Sequence, residues 1–190
     1  MRTAYLDIET CYRGTLGAPD LCRDYANHTI TVIGIRSLDG TLDQFIQLVA
    51  RVKGTAVQLK DVSRQNLLDA LKGADRVVTY NGRSIPDDMK GRVGFDFPVI
   101  AAQLGIVVDK AFEHTDLVPL CWKRGLYGGQ KKVEETLGLR RELPGMDGAW
   151  ASETWKRYEA SKDKRLLDEL LAYNKEDVFM LRQIELALEH

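Results

Sequence analysis

Residues 29–37, TITVIGIRS, and residues 41–48, TLDQFIQL, are two β-rich runs joined by Leu38-Asp39-Gly40, a turn signal that sets them up as an antiparallel hairpin. Residues 3–8 alternate in the same way, so three antiparallel strands are expected to open the chain. The pattern then changes. Asp61 can cap a helix that runs to about Lys72 and is stopped by Gly73, and Arg76 to Tyr80 reads as a strand. Phe97 to Leu104 reads as a helix ended by Gly105, Phe112 to Thr115 as a short strand, and Asp116 to Arg124 as a helix. Residues 131–187 read as helices interrupted by Gly138, Pro144 and Gly148. The expected architecture is α/β, a mixed sheet of three antiparallel strands followed by parallel strands, flanked by helices within one domain over residues 1–187.

With 190 residues, 44% of them hydrophobic, the chain can bury one sizeable core. A net charge of −1 excludes a generally basic nucleic-acid coat but leaves room for a local basic patch. No run of 18 apolar residues occurs, and MRTAYLDIET enters a strand pattern at once, so neither a signal peptide nor a membrane span is expected and a cytoplasmic location is. Cys11, Cys22 and Cys121 are odd in number and lack CxxC spacing, which argues for free thiols over disulfides or zinc. The terminal residues 188–190, Leu-Glu-His, resemble an expression-tag remnant and carry no functional argument.

Three acidic features carry the chemistry. Asp7 and Glu9 are two apart on the first strand and share one face, with Ala4, Leu6 and Ile8 on the other. Asp96 lies between Phe95 and Phe97 at a helix start, where it serves either as an N-cap or as a site acid. In the last helix Leu167, Leu170, Leu171, Val178, Leu181 and Ile184 form an apolar stripe, and Asp177 sits inside it, seven residues beyond Leu170 and so almost directly above it. Tyr173 shares its face at i and i+4. A carboxylate in a core-facing stripe is costly unless it is paired or bound to a cation. Two carboxylates about 4 Å apart repel by roughly 1 kcal/mol in water and several times that at lower dielectric, so converging acids call for a hard divalent ion such as Mg or Mn.

Asp7-x-Glu9-Thr10, then Asn81-Gly82 followed by Phe95-Asp96-Phe97-Pro98, then Tyr173-x-x-x-Asp177, in that order, resemble the DEDD exonucleases with the tyrosine variant of the third motif. Tyr80-Asn81-Gly82, His114-Thr115-Asp116-Leu117 and residues 129–134, GQKKVE, are similar to a bacterial branch of predicted exonucleases in the ribonuclease H-like superfamily. That resemblance implies a ribonuclease H-like sheet and 3'-5' hydrolysis of single-stranded DNA or RNA. It implies two divalent cations, Mg or Mn, held by the residues matching Asp7, Glu9, Asp96 and Asp177, and a tyrosine, matching Tyr173, that orients the attacking water. Thr10, Asn81, Lys131 and Lys132 are the expected substrate contacts, and no membrane or obligate protein partner is expected.

Where the family has only a few residues between Asn81-Gly82 and Phe95-Asp96, this chain carries RSIPDDMKGRVG, so Asp87 and Asp88 compete with Asp96 for the second acid position. Asp96 is chosen because an apolar helix follows and fixes its direction. The long segment 83–94 could also gate the site. Asp116 reads as a helix cap, with support of the site as the alternative. Lys123, Arg124, Lys131, Lys132, Arg140 and Arg141 form the candidate basic patch, with Trp122 and Tyr127 as possible stacking platforms. Two other functions compete: a non-catalytic nucleic-acid-binding domain of the same fold, and a metal-dependent phosphatase, against which Glu9 and the Tyr173–Asp177 helix both speak.

Overall fold

The structure is a computed structural model, and it describes residues 1–14, 23–55, 58–83 and 94–189. Asp87 and Asp88, most of the proposed gating segment, and Cys22 lie outside the described residues. Among the described residues six strands form one sheet in the order β4-β3-β2-β1-β5-β6. Here β1 is Thr3–Tyr12, β2 is His28–Asp39, β3 is Leu42–Val49, β4 is Lys60–Asp61, β5 is Arg76–Thr79 and β6 is Glu113–Asp116. Strands β1, β2 and β3 are antiparallel neighbours, whereas β5 joins β1, β6 joins β5 and β4 joins β3 in parallel. The expected mixed sheet is therefore what forms. Among the described residues seven α-helices flank it: α1 Arg64–Leu71, α2 Asp96–Leu104, α3 Val108–Ala111, α4 Leu117–Lys123, α5 Gln130–Thr136, α6 Gly148–Ser161 and α7 Lys164–Glu189.

Strand β1 is the centre of the arrangement, and its alternation divides the core. Ala4, Leu6 and Ile8 join Leu67, Leu71, Val99 and Ile100 of α1 and α2 on one side. Tyr5 packs with Val178, Leu181 and Ile184 of α7, and Cys11 with Trp155 and Leu170, on the other. Asp7 and Glu9 have the parity of Tyr5 and Cys11, so they point toward α7. A register shift between Glu9 and Thr10 marks a bulge beside this pair.

The start of α1 differs from expectation. Helix α1 is capped by Ser63, whose hydroxyl accepts from Asn66 N at 3.2 Å, and not by Asp61. Asp61 instead extends the sheet in β4 and pairs with Arg51 at 3.2 Å. Extended pairing with Val49 takes Asp61 out of reach of the helix start, and the hydroxyl two residues later takes over. Gly73 and Gly105 do follow their helices in left-handed conformation, at φ +79° and +64°. Cys11 and Cys121 are buried free thiols. Among the described residues no helix is long and apolar enough to cross a membrane.

Candidate metal centre

The acids converge at one end of β1. Asp7, Glu9 and Asp177 each offer a carboxylate oxygen, and these oxygens lie within 4.8 Å of one another. They sit in a cleft of about 500 Å³ that Thr10, Asn81, Asp96, Lys131 and Tyr173 also line. Of the expected site residues, Lys132 is the one that does not line this cleft. Its ammonium pairs with Glu135 at 2.6 Å on the outer side of α5.

Asp177 reaches the cluster because α7 crosses the face of β1 that carries Asp7 and Glu9. The crossing is close at Gly34, the partner of Asp7 across β2, where a Cβ would meet Asn174 Oδ1 at 2.3 Å and Val178 Cγ2 at 2.7 Å. Asn174 is fully buried there and donates to Asp7 Oδ2 at 3.0 Å, while Gln47 Nε2 donates to Asn174 Oδ1 at 3.0 Å and fixes the amide. Nothing in the sequence pattern singled out Asn174. Its position between Tyr173 and Asp177, on the buried side of the same helix, was the available signal.

Asp96 is the first residue of α2 and Phe95 occupies the N-cap position, so the N-cap role does not describe Asp96. It is 6% exposed and faces the cleft. The turn before it is tightly built: Phe95 N donates to Asn81 O at 2.9 Å and Phe97 N to Gly82 O at 2.8 Å. Asp116 both caps α4, accepting from Val118 N at 3.0 Å, and accepts from Asn81 N and Arg83 N at 2.9 and 3.2 Å. One carboxylate thus orders the helix and the loop that presents Asn81, which itself takes φ +66°. Beneath this loop Thr79 Oγ1 meets His114 Nε2 at 2.9 Å, and burial pushes the His114 pKa down to about 4, which keeps the ring neutral.

Electrostatics in the cleft run against ionised acids. Burial first, and then the Asp177 charge, raise the Asp7 carboxyl well above the usual carboxylate range. Glu9 is raised by burial and by the Asp7 and Asp177 charges, and Asp96 by burial and by the Asp7 and Asp116 charges. Burial, followed by the charges of Glu9, Asp177 and Asp7, likewise holds the Tyr173 phenol in its protonated form. Its hydroxyl accepts from Lys131 Nζ at 2.6 Å, and Trp150 packs edge-on against its ring at 5.3 Å. An all-oxygen donor set whose members repel one another is the chemistry that suits a hard divalent cation, so the residues fit Mg or Mn.

The six basic side chains do not form one surface. Lys131 is in the cleft, Lys132 is paired outside it, and Lys123 and Arg124 line a separate hollow with Arg76 and Glu185. The Arg141 side chain, largely shielded from solvent, pairs with Glu134 and Asp177. Tyr127 is 64% exposed on the turn whose Gly128 carbonyl accepts from Tyr80 Oη at 2.9 Å, whereas Trp122 is half-buried.

Comparison with curated proteins gave no match. A family model described as RNase H superfamily matches residues 4–188, nearly the whole chain, and with the sheet order and the carboxylate cluster already in view the chain belongs to the ribonuclease H superfamily.

Proposed function

We propose that this protein is a metal-dependent 3'-5' exonuclease that hydrolyses single-stranded DNA or RNA, acting as a single cytoplasmic domain. Nuclease chemistry on nucleic acid is what membership of the superfamily suggests. The observation that carries the finer reading is the convergence of Asp7, Glu9 and Asp177 within 4.8 Å, in a cleft that also holds Asp96 and a protonated Tyr173 hydroxyl.

In this reading Asp7, Glu9 and Asp177 would hold one cation, and Asp96, facing Asp7 across the cleft, would help to hold a second. A bound pair supplies a water of lowered pKa and charge stabilisation for the departing 3' oxygen. Tyr173 keeps its proton and can donate to the attacking water without competing as an anionic ligand. Lys131 bridges the Tyr173 hydroxyl and the Asp177 carboxylate, at 2.6 and 3.6 Å, and is half exposed to the cleft, where a scissile phosphate would meet it. Asn174 holds Asp7, and the Asp116-braced loop holds Asn81 at the rim.

Labelled single-stranded DNA and RNA, incubated with Mg or Mn, test the reading. Stepwise shortening from the 3' end with release of mononucleotides is expected, and chelator should abolish it. Internal cuts, or no cleavage of any oligonucleotide with either metal, would reject the exonuclease assignment.

A further inference from the structure

Arg141 was grouped in the sequence with surface lysines and arginines, yet its side chain is only 9% exposed. Its guanidinium grips Glu134 with two donors, Nε to Oε2 and Nη2 to Oε1, the latter at 2.8 Å. Nη2 also donates to Asp177 Oδ1, and Nη1 lies 3.5 Å from Glu176 Oε2. Glu134, 1% exposed on α5, holds this fork and also accepts from Gln130 Nε2 at 2.9 Å. Gln130 Nε2 reaches in turn to the backbone carbonyl of Asp177 at 3.0 Å. Both the side chain and the main chain of Asp177 are therefore tied to α5 and to the turn after it. Glu176 accepts from the Leu143 backbone N–H, which pins that turn to α7.

The two Asp177 oxygens face different partners. Oδ1 meets Arg141, which does not line the cleft, whereas Oδ2 lies 3.6 Å from Lys131 Nζ, which does. We propose that Arg141 is a positioning residue: held by Glu134, it fixes the Asp177 carboxylate from behind through Oδ1 and leaves Oδ2 as the single oxygen presented to the cation.

This inference rests on the proposed metal site and adds a residue that touches neither cation nor substrate. An arginine suits the task because its planar fork stays charged and can serve two carboxylates at defined angles. A lysine keeps the charge but cannot hold Glu134 bidentately while also reaching Asp177. Groups that orient metal ligands in this way typically contribute about 10- to 100-fold in metal affinity or activity.

The test is Mn binding to metal-free protein, read from the electron paramagnetic resonance of unbound Mn, with melting followed in parallel by circular dichroism. Arg141→Lys, which conserves charge, is expected to fold and to bind Mn about 10-fold more weakly than wild type. A loss of less than threefold overturns the proposal, including the case in which only the melting temperature falls, since that is what a purely structural ion pair would do. If Arg141→Lys does not fold, Glu134→Asp is read by the same threefold criterion, because it keeps the charge but withdraws the carboxylate from the fork. Wild-type protein that binds Mn and degrades oligonucleotides while the variant binds Mn equally well sinks the clamp alone. Wild-type protein that binds no Mn sinks the functional reading beneath it.

Discussion

Replacing Asp7 by Asn should make the metal-free protein more stable while destroying its activity. The cluster's carboxylate oxygens lie within 4.8 Å of one another, and two charges at that distance repel by about 0.9 kcal/mol in water and about 3.5 kcal/mol at an effective dielectric near 20. Asp7 faces two such neighbours, but Arg141 and Lys131 offset part of the Asp177 charge, so we count roughly one repulsive pair, worth about 1–3 kcal/mol. The substitution loses little in exchange, because an Asn carbonyl can still accept from Asn174 Nδ2. For a chain of this size each kcal/mol moves the melting temperature by about 2–4 °C, giving a rise of about 2–12 °C in EDTA at pH 8. The pH dependence follows from the raised pKa values of Asp7 and Glu9. An acid whose folded pKa exceeds its unfolded value contributes stability that is present below the unfolded value, near pH 4, and is lost as pH rises through the folded one. The advantage of Asp7→Asn should therefore be greatest at pH 8 and shrink toward pH 5. With Mn at about 1,000 times its Kd the order reverses, since wild type alone gains about 4.1 kcal/mol from the ion. Circular dichroism melts at four pH values with EDTA or Mn measure all of this. An Asp7→Asn variant that melts at or below wild type at pH 8 in EDTA would refute the argument that the cluster is repulsive and awaits a cation.

Other substitutions address separate parts of the site. Asp177→Ala should abolish cleavage with the fold intact, and undiminished activity would remove Asp177 from the metal set. Tyr173→Phe should keep Mn binding but slow hydrolysis by about 100- to 10,000-fold, as expected for a group that orients or protonates in the reaction, and a loss under about threefold in single-turnover assays would return the tyrosine to a packing role. Gly34→Ala places a methyl 2.3 Å from Asn174 Oδ1, so it should cost about 1–3 kcal/mol in urea denaturation and lower activity by displacing Asn174 from Asp7; wild-type stability and rate in this variant would show that α7 tolerates the displacement.

The sequence revealed the features that follow from periodicity. Alternation in β1 put Asp7 and Glu9 on one face, and the apolar stripe of α7 turned Asp177 inward; both depend on local geometry that a chain cannot easily override. Charged residues were harder to place because side-chain type does not determine which partner it finds. Lys131 and Lys132 are adjacent and alike, yet the 100° step of a helix sends one into the cleft and the other to Glu135. Arg141 looked like surface because buried arginines are rare, and its partner Glu134 is seven residues away across a turn ended by Gly138, a contact that no periodic pattern encodes. The sequence pointed to Asp61 as the cap of α1, but pairing in β4 draws Asp61 into the sheet and Ser63 caps the helix instead.

The two backbone bonds that join Asn81 to Phe95 and Gly82 to Phe97 close a neck at the base of the segment between them. Asp96 is positioned by that neck, by α2 and by the Asp116 brace. Because each doubling of loop length costs only about 0.6 kcal/mol in closure entropy, a change in the number of residues between Gly82 and Gly94 is expected to cost the fold little. The neck thus uncouples the placement of the acid from the length of chain between its two ends.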